Sequence, residues 1–178
     1  MAFTQYPAAS SSGKTSYRTT LTSGTSWTVP AGVTYVNVTC VGGGGGGGGA
    51  SVINSSSGGG GTGGTTTFST ISASGGVGGR NAHANLSGRN WGGGGSSAQA
   101  NSGWGGDPGW SMTTGFSTAI WLVGWMGGHG QVVSGNLTVT PAASISYSIG
   151  AGGSGGSAGA GDAGGAGGSG RIDIEYWV

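Results

Sequence analysis

Apolar and polar residues alternate at both ends of the chain, and the alternation is lost between them. Near the start, Tyr17, Thr19 and Leu21 share one face, and Trp27 and Val29 alternate up to a corner at Pro30-Ala31-Gly32. Tyr35 to Val41 then places Val36, Val38 and Cys40 on a single side. Near the end, Val133, Leu137 and Val139 share a face with Gly135 between them, and after Pro141 the residues Ile145, Tyr147 and Ile149 alternate with serines. The last segment sets Ile172, Ile174, Tyr176 and Val178 against Arg171, Asp173, Glu175 and Trp177. A period of two over short segments rich in β-branched and aromatic residues predicts strands at 17–41, 131–149 and 171–178. Together they predict an all-β protein built on a small antiparallel β-sandwich whose edges need covering.

The middle is organised by glycine. Runs occur at 42–49, 58–64, 75–79, 92–95, 103–106 and 127–130, some broken by one residue. If each run is one pass away from or back to the strands, the loops between them alternate between two ends. Loops 51–57, 80–91 and 107–126 then lie far from the sandwich, and 65–74 and 96–102 lie near it. Within the near loop 65–74, Thr66 to Ile71 reads as a further strand. The stretch 150–170 carries its own period. Positions 151, 154, 157, 160, 163, 166 and 169 are all Ala or Ser, and the other two frames are glycine except at Ala158 and Asp162. A flexible linker needs no such period, whereas a left-handed extended helix with three residues per turn does. The expectation is a polyglycine II-like bundle, with Ala158 and Asp162 bracketing a turn. The eight glycines 42–49 would span roughly 25 Å at about 3.1 Å per residue. Residues 1–16, small and without period, read as an N-terminal arm, and 17–178 as one glycine-rich β domain with passes and loops at 42–130 and 150–170.

Composition narrows the function classes. Of 178 residues 48 are glycine, only 5% are charged, and the net charge is +1, yet there are seven Trp and five Tyr. Disordered chains lack such aromatics, so an ordered structural or adhesive protein held in an assembly is expected. The five cations are scattered, which predicts no nucleic-acid groove. No apolar run approaches a membrane span, and the N-terminus lacks the basic start and apolar core of a signal peptide. The single Cys40 excludes an intramolecular disulfide and reads as a small core residue. Ala8 to Thr15 loosely matches a phosphate loop without the strand before it and the helix after it. Asp173 and Glu175 lie on one strand face beside Arg171, Asp107 opens an Asp-Pro-Gly turn, and His83 and His129 have no Cys, Asp or Glu at metal spacing. Neither catalysis nor a cofactor is expected.

Two motifs carry a family resemblance. The segment Thr25-Ser26-Trp27-Thr28-Val29-Pro30-Ala31-Gly32-Val33, followed by Val36 to Val41 and poly-Gly, resembles the opening of the glycine-rich domain of phage tail-fibre and receptor-binding proteins. The close is similar too: Leu137-Thr138-Val139-Thr140-Pro141, then Tyr147 to Gly153, then Gly170 to Trp177. In architecture the chain also resembles T-even-type fibre-tip adhesins, in which polyglycine II helices carry receptor-binding loops. Two departures stand out: Ala142-Ala143 replaces the usual glycine after proline, and the 107–126 insert is longer and more apolar than a glycine spacer. The resemblance implies a virion component made in the host cytoplasm, host attachment, and partners among other virion proteins and copies of itself, as a trimer in fibres.

The candidate binding residues follow from the loop count. Far loop 80–91 offers Arg80, Asn81, His83, Arg89, Asn90 and Trp91, and far loop 107–126 offers Trp110 and Phe116. Flat aromatics with amide and guanidinium donors suit a host surface glycan or an outer-membrane protein. The apolar group Trp121, Leu122, Val123, Trp125 and Met126 reads as a subunit contact or internal core. The alternative function is a structural virion subunit without receptor binding. A third reading, ice binding, is motivated by the Ala/Ser edge at 151–169.

Overall fold

The computed structural model of the chain describes residues 13–51, 57–81, 124–159 and 161–178. Among them are eight strands and no helix: β1 (Ser16–Leu21), β2 (Ser26–Thr28), β3 (Tyr35–Val41), β4 (Thr66–Phe68), β5 (Ile71–Ala73), β6 (Val132–Thr138), β7 (Ser144–Ser148) and β8 (Arg171–Trp177). They form two antiparallel four-stranded sheets, ordered β1-β8-β3-β6 and β2-β7-β4-β5. The expected strand at Thr66–Ile71 is the β4–β5 hairpin, and it joins the second sheet through β7. The first strand starts one residue earlier than the arm boundary allows. Ser16 pairs with Trp177, and Thr15 exchanges backbone hydrogen bonds with Val178. The C-terminal strand has room for these residues, and pairing satisfies their backbone polar groups.

The period of two fixes which faces meet. Val36, Val38 and Cys40 of β3 and Ile172 and Ile174 of β8 are buried against Phe68, Ile71, Ala73 and Tyr147 of the other sheet. Gly135 on β6 leaves room for the Ile71 side chain, since a Cβ there would lie 2.9 Å from Ile71 Cδ1. Aromatic rings continue the core toward the β1 edge: Phe68 and Tyr176 each lie 6.0 Å from Trp27, and Tyr176 stacks on Tyr17 at 5.6 Å. Burial pushes the Cys40 thiol up to about 11, in keeping with an inert core residue.

Two corners of like geometry close the sandwich. Val33 N–H bonds Pro30 O at 3.2 Å, and Ala143 N–H bonds Thr140 O at 3.1 Å. The third residue of each turn has positive φ, 79° at Gly32 and 62° at Ala142. The two corners are tied through Val29, which donates to Ala143 O and accepts from Ala142 N–H. Ala142 therefore keeps the turn that a glycine would make, at a cost of about 1 kcal/mol for its Cβ in the left-handed region.

Every described glycine pass joins a strand at the same end of the sandwich. β3 runs into 42, β5 into 75 and β7 into 150, while the passes ending at 64, 131 and 170 feed β4, β6 and β8. Residues 42–50 form the hub of the bundle. Their N–H groups point in three directions in rotation, as expected of an extended chain with three residues per turn. Gly43, Gly46 and Gly49 donate to Gly64, Gly61 and Gly58, and Gly44, Gly47 and Ala50 donate to Gly168, Gly165 and Asp162. Gly42, Gly45 and Gly48 donate to Gln131, Gly128 and Trp125, and all nine bonds measure 2.8–2.9 Å. Partner numbers fall as hub numbers rise, so 58–64, 162–168 and 125–131 are returning passes. Two outgoing passes donate to the hub instead. Gly76 and Gly79 bond Gly43 and Gly46, and Gly153, Gly156 and Gly159 bond Gly44, Gly47 and Ala50.

The bonded passes are longer than the glycine runs, since Arg80, Trp125 and Gln131 also join through their backbones. The period in 150–170 has its expected consequence: Ala151, Ser154, Ser157, Ala163, Ala166 and Ser169 are all exposed. The turn falls between Gly159 and Asp162, where Ala50 accepts from one and donates to the other.

Two stability predictions follow from this geometry. Gly46→Ala should lower the thermal midpoint by more than about 5 °C, because its Cβ would sit 1.9 Å from Ser154 O, while Thr62→Ala on an exposed edge should leave it within about 2 °C. Ala142→Gly should raise unfolding free energy by about 1 kcal/mol in urea titration, through relief at φ 62°.

Candidate functional site

The end of the bundle opposite the sandwich is the candidate site, and backbone bonds assemble it. Trp125 N–H donates to Arg80 O at 3.0 Å, Gly48 N–H to Trp125 O at 2.8 Å, and Gly58 N–H to Ser157 O at 3.0 Å. Two side chains fasten the rim: Asn81 Nδ2 donates to Ser57 O at 3.0 Å, and Ser57 Oγ donates to Gly49 O at 2.8 Å. Ala50 and Ser51 are fully buried beneath this rim. The chain leaves the described bundle at 51 and 81 and re-enters it at 57 and 124, and all four positions lie at this tip. The described residues that flank segments 52–56 and 82–123 thus all lie at this tip.

Arg80 and Asp162 are exposed at the tip, and Met126 is 60% exposed. Val77, three residues before Arg80 on the same edge, is exposed as well. Asn81 is half-buried with its amide committed to the rim, so it positions the loop base. Trp125 is half-buried, and neither it nor Met126 belongs to the sandwich core. His83, Arg89, Asn90, Trp91, Trp110, Phe116, Trp121, Leu122 and Val123 lie outside the described residues. Sequence reasoning misses Ser57 as a rim residue, because nothing local marks a loop serine whose hydroxyl reaches a carbonyl eight residues back.

Among the described residues no three of His, Cys, Asp and Glu come together. The described group with a depressed pKa, Asp173, lies in the sandwich, on the outward face of β8 beside Thr20 and Thr39. A shallow groove lined by Thr67, Ser69, Ser144, Ser146 and Ser148 crosses the second sheet, and Thr67 and Ser148 share a 2.7 Å hydroxyl bond there. Neither a protein-family model nor a curated protein matches the chain.

Asp173 is a structural carboxylate. It is 8% exposed, accepts from Thr20 Oγ1 at 2.7 Å, and pairs with Arg171 at 3.0 Å and Arg18 at 3.4 Å. Burial raises its pKa, but the Thr20 and Arg171 hydrogen bonds and the charges of Arg171 and Arg18 outweigh burial and hold it below the ordinary carboxylate value. Because the folded pKa is depressed, its stabilisation is fully present above the unfolded-chain value of about 3.9 and is lost as pH falls through the folded value. Asp173→Asn should therefore cost about 2 kcal/mol at pH 7. The gap to the native chain should narrow below about pH 4 in urea titrations, and an unchanged gap at pH 3 would assign the acid sensitivity to another group.

Proposed function

We propose that the chain is a phage virion protein, a tail-fibre or baseplate-tip adhesin that attaches to the host cell surface through loops at the far end of its glycine bundle. In this reading the passes are polyglycine II helices, the sandwich is the mount, and the tip is the receptor face. The observation that carries it is the loop placement: 52–56 and 82–123 both start and finish at the end opposite the sandwich. Glycine passes give those loops a stiff stem, since each pass is hydrogen-bonded on several sides. Support also comes from the motif resemblance at both termini of the domain and from the three-residue hydrogen-bond repeat of the hub.

The chemistry of the reading is aromatic contact with polar anchoring. Arg80 is exposed at the base of loop 82–123, whose sequence contains Trp91, Trp104, Trp110, Phe116 and Trp121. Trp and Arg dominate the energetics of protein contacts, and aromatic faces with fixed donors also suit sugars. The receptor class is a host surface glycan or an outer-membrane protein, and the neighbours in the virion are other tail proteins and copies of the chain. One observation favours the structural alternative: exposed Met126 continues the apolar run 119–123, as a subunit contact would.

The test is binding of fluorescently labelled full-length protein to a panel of intact bacterial strains. A variant with 80–91 and 107–123 replaced by Gly/Ser segments of equal length runs alongside. Strain-selective binding that the folded variant loses, by at least about tenfold in Kd, supports the adhesin. A well-folded native chain that binds no strain, together with loss of oligomer in the variant, supports the structural subunit instead.

A further inference from the structure

The outward face of the first sheet carries chemistry that neither the core nor the tip uses. Strand register sets it out in rows. In the row farthest from the bundle, Trp177 on β8 lies between Ser16 on β1 and Tyr35 on β3, and Tyr35 faces Thr138 on β6. The next row runs Arg18, Glu175, Asn37, Asn136 across the four strands. The third holds Asp173 between Thr20 and Thr39. Strands lie about 4.8 Å apart and alternate residues about 6.8 Å, so the three rows cover a patch roughly 14 Å on each side.

The rows differ in how far their groups are already engaged. In the third, Thr20 Oγ1 donates to Asp173 at 2.7 Å, and Thr39 and Ser134 share a 2.8 Å hydroxyl bond. The second opens outward: Glu175 and Asn136 are exposed, and Asn37 is half-buried. Its flanks steady it, since Ser16 Oγ reaches Glu175 Oε1 at 3.4 Å and Arg18 is held 3.4 Å from Asp173. In the first row Tyr35 is 45% exposed and Trp177 half-buried, on adjacent strands. The aromatic core does not use this pair, because β8 contributes to it through Tyr176 on the opposite face.

Charge and composition choose the occupant. Arg18 and Arg171 stand against Asp173 and Glu175, so the face is balanced and offers no field to a polyanion or a polycation. Its three rows hold no aliphatic side chain, whereas the centre of a protein contact is mostly apolar. Planar amides and a carboxylate each present two polar atoms side by side, which matches neighbouring hydroxyls on a sugar ring. Aromatic faces cover the C–H side of such a ring. We propose that this face binds a neutral oligosaccharide lying flat, with a pyranose ring on Tyr35 and Trp177 and its hydroxyls on Glu175, Asn37 and Asn136. The site is on the sandwich, away from the tip, and stands whether or not the tip binds a receptor.

The test is isothermal titration calorimetry of the full-length protein with maltohexaose, cellohexaose, N-acetylchitohexaose, dextran and mannan, and with an alginate hexamer as the anionic probe. At least one neutral probe should bind with Kd below about 1 mM. Tyr35→Ala and Asn136→Ala should each weaken that binding at least about fivefold while the thermal midpoint stays within about 3 °C. Arg80→Ala, at the tip, should leave it unchanged. Binding of alginate alone, of no probe, or of a neutral probe that both sandwich variants retain overturns the proposal. Sedimentation of the same variants covers the other occupant: an oligomer that Tyr35→Ala dissociates, in a protein that takes no neutral probe, gives the face to a second copy instead.

Discussion

The structure depends on backbones approaching until Cα hydrogens touch carbonyl oxygens. At Gly43, Gly45, Gly46, Gly48 and Gly49 an added Cβ would meet a backbone oxygen at 1.9–2.1 Å, well inside any permitted contact. No side chain yields there, because the obstacle is the neighbouring main chain. Glycine is therefore required along the hub for its lack of volume, and its usual conformational freedom is a cost. Only Gly24 and Gly32 among the described glycines have positive φ, so the passes use ordinary negative-φ backbone. Hydrogen bonds to several neighbours, with close packing, offset the ordering entropy.

That constraint explains the division of labour in the chain. A bundle of glycine passes has almost no apolar side chain to bury, so the hydrophobic contribution comes from the sandwich, where Val36, Val38, Cys40, Phe68, Ile172 and Ile174 are fully enclosed. The sandwich also sets the register of the bundle, because strands paired in a fixed register deliver the pass ends side by side. Thr66 and Gln131 make the joint: Gly150 N–H donates to Thr66 Oγ1, and Ser74 N–H to Gln131 Oε1. Side chains in the passes survive on outward edges, which is why Val77, Arg80, Met126 and the Ala/Ser series are where they are.

The same division suits a contact protein. A stem whose geometry rests on main-chain bonds tolerates exchange of the loops that its far end carries, since each loop need only return its ends to the rim. The rim is held by Asn81, Ser57 and backbone bonds.

Much of this was legible in the chain itself. Alternation marked the faces of β3 and β8, and the three-residue period of 150–170 marked its exposed edge, because both patterns are local consequences of backbone geometry. The parity of glycine runs gave the direction of every described pass. Other features needed the tertiary structure. Which passes touch depends on hydrogen bonds between residues up to 124 apart, such as Gly44 and Gly168, and poly-Gly carries no side-chain pattern to encode a partner. The sequence sets Asp173 on one strand face beside Arg171, as a solvated face or an ion pair, and only the pairing of β1 and β3 on either side of β8 buried it between two arginines. Ala142 looked like a departure from the turn, yet the bonds to Val29 hold it in the conformation that glycine would adopt. Sequence thus determined the elements and their faces, which local sterics decide. Tertiary structure decided adjacency, which depends on where strand register places each pass.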